Sequence, residues 1–306
     1  MQMTRVSFRV YFALFGAVAI ISAASILIKL ADAPALIIAA YRLGIASLIL
    51  VPIAAVRRGE ELQALSPKDF WLSLLSGAFL SAHFIAWIAS LQYTSVASSV
   101  VLVATNPIFV GLGTVLFLRE RLPLLLVLGI ALSVLGGMAI GYDDLVLGGQ
   151  ALYGDLLALL GAIAHSGYLL IGQRVRRKTS ALSYITLVYG TAAALTLLAA
   201  VIARTPFTGY TTQTYVMIVL LALGPQLLGH TSYNWALRYV SAAVVAVVIL
   251  AEPVGATVLA YVILGEGVTL QKIIGGLLVL AGIYLAVRAE GRSRVVEITG
   301  QDPLGS

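Results

Sequence analysis

"VVILAEPVGATVLAYVILGEG", running from Val247 to Gly267, is the stretch on which the fold turns. Nearly every residue before its second glutamate is apolar or small, yet Glu252 and Pro253 stand near its middle. A carboxylate is expensive to hold in an apolar span. A proline inside a helix removes a backbone hydrogen bond and clashes with the preceding turn. The same difficulty occurs once more, 146 residues upstream. There "VVLVATNPIFVGLGTVLFLRERL" falls on "AVVILAEPVGATVLAYVILGEGV", and Pro107 meets Pro253.

At that offset Tyr93 matches Tyr239, Ser95 matches Ser241, Glu120 matches Glu266, Gly129 matches Gly275 and Gly136 matches Gly282. Matches among Leu and Val carry little weight in so apolar a chain. The Pro, Glu, Tyr and Gly matches carry the signal. Further upstream "FGAVA" (15–19) resembles "LGAIA" (160–164). The chain is read as an internal duplication in which Asn106–Pro107 and Glu252–Pro253 are equivalent. Each proline breaks the hydrogen-bond ladder of its span and frees a carbonyl. In lipid such a break survives only where protein or a water-filled cavity satisfies the backbone. Asn106 and Glu252 are therefore expected to face the interior of a helix bundle.

Composition says why the solvent is lipid. Of 306 residues 60% are hydrophobic and 10% charged, and mean hydropathy is +1.02; soluble domains hold about 45–50% apolar and about 25% charged residues. There is no cysteine, which excludes disulfides and thiolate sites. A net charge of +6 raises the question of nucleic acid, but the cations lie in short clusters between apolar runs and read as membrane orientation. Arg5 and Arg9 before an apolar run, with "ADA" at 31–33, resemble a signal peptide. The run is long for one and Lys29 precedes the supposed cleavage site, so it is taken as a first span.

A helical span needs about 20 apolar residues. Ten are expected, at 10–31, 35–56, 70–91, 96–117, 122–141, 151–173, 181–203, 214–237, 242–263 and 270–288. Residues 1–9 and a flexible 289–306 tail flank them, with the two five-helix repeats at 10–145 and 146–288. With the N-terminus inside, fifteen of the nineteen Lys and Arg fall on the inner side, so both termini are expected in the cytoplasm. Five spans is an odd number, so the second copy crosses the other way. Inverted repeats are typical of transporters that open one central site to either side in turn. The fold class expected is an all-α membrane protein of ten transmembrane helices.

Ten spans, a five-plus-five repeat, a proline in the fourth span of each half and a glutamate shortly after it resemble the drug/metabolite transporter superfamily, in its EamA-like branch. The residues are "NPIFVGLGTVLFLRERL" and "EPVGATVLAYVILGEGV", and the resemblance covers residues 10–288. Within the branch the chain is most similar to bacterial exporters of aromatic amino acids, by general similarity rather than by a substrate motif. The resemblance implies a basket of helices around a cavity in a bacterial inner membrane. The first, third, fourth, sixth, eighth and ninth spans line the path; the fifth and tenth pack peripherally, with monomer or homodimer both open. It implies export of amino acids, aromatic or otherwise apolar, with a small-molecule substrate and the bilayer as partners. It implies no nucleic acid, cofactor or metal.

Polar residues in lipid are costly and should face the path. The third span offers His83 and Trp87, four apart on one face. The sixth offers His165 and Tyr168; the eighth Gln226, His230, Tyr233 and Asn234; the fourth Ser99, Asn106 and Phe109. In the second, Tyr41 and Arg42 stand out, and Tyr41 is counted among the substrate contacts. A histidine here is read two ways, as a ligand or proton carrier or as an interhelical hydrogen bond. Trp87, Phe109, Tyr168 and Tyr233 offer flat apolar faces for a ring. Glu252 is a coupling group; Glu120 and Glu266, at span ends, are gate or brace residues, with Arg119, Arg121 and Lys272 at hand. Two rivals stay open: efflux of amphipathic drugs or other metabolites, coupled to protons through Glu252, and an intramembrane enzyme, for which no nucleophile elbow or "HExxH" speaks.

Overall fold

The protein is described here from a computed structural model, which covers residues 8–94, 96–141, 149–259, 261, 262 and 269–299. Every regular element among them is helical. Eight helices are long and apolar enough to cross a bilayer: Phe8–Leu30, Ala35–Gln63, Pro67–Tyr93, Ser99–Leu118, Gly149–Arg176, Ala181–Ile202, Thr212–Ala236 and Ala242–Leu259. Two shorter apolar helices, Leu124–Ala139 and Ile273–Ala289, stand where the fifth and tenth spans are expected. The surface is the reverse of a soluble protein's. Leu48, Val56, Phe117 and Ile202 lie open, whereas Arg42, Gln226 and Asn234 are fully buried. A lipid solvent dictates this distribution, because polar groups must find partners inside the bundle.

Several spans are interrupted. The first consists of α1 (Phe8–Ile21) and α2 (Ala24–Leu30), and is followed by α3 (Ala35–Gln63) and α4 (Pro67–Tyr93). The fourth is split into α5 (Val96–Val103) and α6 (Asn106–Gly113), the latter running on as a π turn over Thr114–Leu118. Then come α7 (Leu124–Gly141), α8 (Gly149–Arg176) and α9 (Ala181–Ile202). The span expected as the eighth is α10 (Thr212–Leu221), a π-helical stretch Ala222–His230 containing Pro225, and α11 (Thr231–Ala236). The ninth is split into α12 (Ala242–Ile249) and α13 (Glu252–Leu259), and α14 (Leu270–Thr299) ends the described chain.

The breaks in the fourth and ninth spans fall at equivalent places. Thr105 N–H turns back to Leu102 C=O, 3.1 Å, and Ala251 N–H to Val248 C=O, 3.0 Å, each closing a tighter turn just ahead of its proline. Proline is tolerated there because it opens the second half-helix, where its missing N–H has no intrahelical partner to lose. The sequence does not announce the break in the first span. There Ser22 Oγ donates to Val18 C=O and reaches the Glu252 carbonyl at 3.4 Å. A Cβ on Gly255 would meet Ser22 Oγ at 2.2 Å, so α1 and α13 approach as only glycine allows. α14 runs helical through Thr299, into the 289–306 segment expected as a flexible tail.

Packing between elements follows the equivalence of the halves. α4 lies on α8, and its counterpart, the bent eighth span, lies on α1; α3 lies on α9 and α7 on α14. α7 and α14 are antiparallel. A Cβ on Gly129 would lie 2.8 Å from Gly282 O, and one on Gly136 would lie 2.5 Å from Gly275 O. Between them Ser133 Oγ donates to Val279 C=O, 3.3 Å.

Candidate binding site at the helix breaks

The breaks leave a cluster of polar and aromatic side chains in the interior. α4 carries His83 and Trp87 one turn apart, and α8 carries His165 and Tyr168. Their rings form one stack: Trp87 on His83 (centroids 5.8 Å), His83 on His165 (4.5 Å), His165 on Tyr168 (5.6 Å). The π-helical stretch of the eighth span brings His230 edge-on to His165 at 5.9 Å and to Phe84 at 5.2 Å, and α11 adds Tyr233 at 5.9 Å from His230. Wide turns of this kind shift side-chain register locally and recur at functional sites.

Hydrogen bonds set the ring orientations. His83 Nδ1–H donates to Gly161 C=O, 2.9 Å. The Asn106 amide donates to His165 Nδ1, 2.9 Å, which puts the His165 proton on Nε2. Ser166 Oγ donates to Asn106 C=O, 3.1 Å, answering the carbonyl beside the break. The Asn234 amide donates to Tyr168 Oη and to His230 C=O. Below it Arg176 Nε donates to Asn234 C=O, 2.9 Å, beside a cavity of about 600 Å³ lined by Arg57, Arg58, Arg176, Arg238 and Trp235.

Arg42 belongs to this network. It is fully buried, its guanidinium carbon lies 4.1 Å from the Phe84 ring centroid, and its Nε donates to Gln226 Oε1, 2.9 Å. Of the eleven buried side-chain atoms without a protein partner among the described residues, nine belong to residues of this cluster: Arg42 Nη1 and Nη2, Trp87 Nε1, Asn106 Oδ1, His165 Nε2, Gln226 Nε2, His230 Nδ1, Tyr233 Oη and Asn234 Oδ1. Buried polar atoms are ordinarily paired; here the unpaired ones concentrate in one place.

Of the residues singled out from sequence, His83, Trp87, Asn106, His165, Tyr168, Gln226, His230, Tyr233 and Asn234 are brought together. Others are placed elsewhere. Tyr41 Oη donates to Phe207 C=O, 2.6 Å, beside Tyr215 and the α9–α10 connection. Arg42, one residue on, enters the network instead; neighbours on a helix point about 100° apart. Ser99 Oγ is 2.5 Å from Ser90 Oγ, joining α5 to α4. Phe109 is half-buried and makes no ring contact among those described. Glu252 opens α13 and takes part in neither of the ion pairs found among the described residues. Glu120 pairs with Arg177, 3.2 Å, rather than with Arg119 or Arg121, and the side chain of Lys272 lies outside the described residues. Glu266 lies outside the described residues.

The aromatic faces are not open as the sequence suggests; they cover one another. α4 and α8 are in ordinary contact at Gly161, where a Cβ would sit 3.5 Å from the Trp87 backbone nitrogen, and approach more tightly at Gly167, where one would sit 2.9 Å from the Phe79 ring. The overlap of His83 and His165 keeps their nitrogens in near-parallel planes. Among the described residues no group of three His, Asp or Glu could hold a metal ion.

Comparison with known proteins agrees with this architecture. The sequence profile of the EamA-like transporter family matches twice, over residues 8–142 and 152–288. The chain is 27% identical over 290 residues to "Uncharacterized transporter YetK" of Bacillus subtilis, covering 90% of this chain and 86% of the relative. It is 26% identical over 245 residues to an "Uncharacterized transporter" of Clostridium kluyveri, covering 78% of each. One solved crystal structure superposes with a TM-score of 0.75 over 93% of this chain and 98% of its own, at 19% identity, which speaks for the fold alone. With the family matched across both halves and the polar network enclosed by them, the chain belongs to the EamA-like family and is a multi-pass membrane transporter.

Proposed function

We propose that this transporter moves amino acids, aromatic or otherwise apolar, outward across a bacterial inner membrane by opening the buried network to either side in turn. The observation that carries the reading is the network itself. Five spans converge on a closed stack of rings whose edges, with neighbouring side chains, carry unpaired donors and acceptors, at the breaks of two related helices. A ligand with an aromatic side chain and charged α-groups answers both kinds of surface.

Alternating access by inverted repeats is supported by the α7–α14 contact. Gly129 faces Gly282 and Gly136 faces Gly275, while the repeat offset equates Gly129 with Gly275 and Gly136 with Gly282. Each residue meets the counterpart of its neighbour, and Ser133 bonds the residue 146 positions away. Antiparallel contacts of that kind are what a pseudo-two-fold axis in the membrane plane produces. Ten spans, with the two shorter apolar helices as the fifth and tenth, complete the arrangement, and the Lys and Arg pattern orients both termini to the cytoplasm.

The test is uptake of labelled phenylalanine, leucine and lysine into proteoliposomes of purified protein, with and without a pH gradient. Saturable uptake of phenylalanine or leucine without a gradient supports a facilitator. Uptake only with a gradient assigns coupling to an interior titratable group, Glu252 first. Absence of uptake of all three, with amphipathic cations transported instead, sinks the amino-acid reading in favour of drug efflux.

A further inference from the structure

The unpaired atoms of the network are not an even mixture. Arg42 Nη1 and Nη2, Trp87 Nε1, His165 Nε2 and Gln226 Nε2 are donors, and Tyr233 Oη can donate; Asn106 Oδ1 and Asn234 Oδ1 are acceptors. His230 Nδ1 serves as either. Donors thus dominate, and one of them is charged. The Arg42 guanidinium is held at its inner edge by Gln226 and on its face by Phe84, leaving the two terminal nitrogens as a free fork. Neither ion pair among the described residues involves it: one joins Arg58 to Glu61, the other Arg177 to Glu120. One hydrogen bond and one ring face do not offset the cost of burying a guanidinium without a counter-ion. A planar fork with two parallel N–H donors matches a carboxylate in geometry as well as charge, which a lysine would not.

We propose that Arg42 is the carboxylate anchor of the transport site: the substrate carries a carboxylate that the two terminal nitrogens of Arg42 bind side by side, with its apolar part directed to the rings of Phe84, His230 and Trp87. This rests on the reading of the network as the transport site, and it narrows the substrate class to carboxylic acids. The internal rival for the fork is Glu252, the carboxylate that opens α13 and takes part in neither of these ion pairs.

Purified full-length protein in detergent is titrated with four ligands that share a phenyl ring: phenylalanine, phenylalaninamide, 3-phenylpropionate and phenethylamine. Binding is read by tryptophan fluorescence, to which Trp87 in the ring stack responds, and by thermal shift. The two carboxylates are expected to bind about tenfold or more tighter than the amide and the amine. Arg42→Lys, which keeps the charge but loses the planar fork, is expected to shrink that preference several-fold. Equal binding of acid and amide overturns the anchor and leaves Glu252 as the counter-ion of Arg42. The ligand series on the natural protein stands even where the variant fails to fold. Binding of 3-phenylpropionate but of no amino acid supports the anchor and removes the amino-acid reading. Binding of amino acid and amide alike removes the anchor and spares that reading. Binding of none of the four overturns both.

Discussion

Trp87 shows at the level of one residue how the network is built. Its ring ends the stack over His83, its Nε1–H has no protein partner, and its backbone carbonyl accepts from Ser90, 2.7 Å. A ring pair contributes about 0.5–1.5 kcal/mol beyond burial. Trp87→Ala is therefore expected to weaken phenylalanine binding by about 2–10-fold while leaving leucine transport nearer its natural rate. Uptake kinetics with both substrates, on protein whose melting curve remains cooperative, decide this; equal loss for both would place Trp87 in packing alone. Arg42 and Tyr41 teach the complementary lesson. Both stand out in an apolar span, and one helical step separates a residue that joins the site from one tied to Phe207.

Among the helices, the breaks and the glycine contacts make separate predictions. Pro107 and Pro253 open half-helices behind equivalent tight turns. Replacing proline by alanine restores an N–H and lets the ladder continue, so Pro107→Ala and Pro253→Ala are expected to straighten their spans and slow transport several-fold without loss of thermal stability. Transport at the natural rate in both variants would confine the breaks to architecture. On α7, Gly136 and Gly137 are neighbours with opposite surroundings. A Cβ on Gly136 would meet Gly275 O at 2.5 Å and Val279 N at 2.8 Å, both backbone, whereas one on Gly137 meets nothing within 4 Å. Gly136→Ala is expected to push α7 from α14 and cost about 1–3 kcal/mol. Gly137→Ala should be neutral or stabilising by up to about 1 kcal/mol, from helix propensity. Thermal melts of the pair check the contact directly; equal melting temperatures would refute it.

Over the whole molecule, the inverted arrangement proposed above requires connections on opposite sides of the membrane. The natural absence of cysteine makes this easy to test. Lys178 and Thr208 are exposed, in the connections before α9 and after it. With the N-terminus in the cytoplasm, Thr208→Cys is expected to react with a membrane-impermeant maleimide added to intact cells. Lys178→Cys should react only after the membrane is opened. The reverse pattern would invert the topology; reaction of both from outside would break the span count between them.

The sequence by itself determined the solvent, the helical class, the duplication and the places where two helices break. Hydropathy and proline act locally, and an offset of 146 is visible in linear order. It also named most of the network, because a polar side chain in an apolar span has nowhere to go but inward. What only the tertiary structure decided is which polar residues meet. The π-helical register around Gln226 and His230, the break at Ser22 and the closed ring stack depend on helix-to-helix distances set by glycine contacts such as Gly167 on Phe79 and Gly255 on Ser22. The unpaired fork of Arg42 emerges only there as well. A sequence shows that a charge is present, but whether a counter-charge lies within reach depends on residues nearly two hundred positions away, brought beside it by packing.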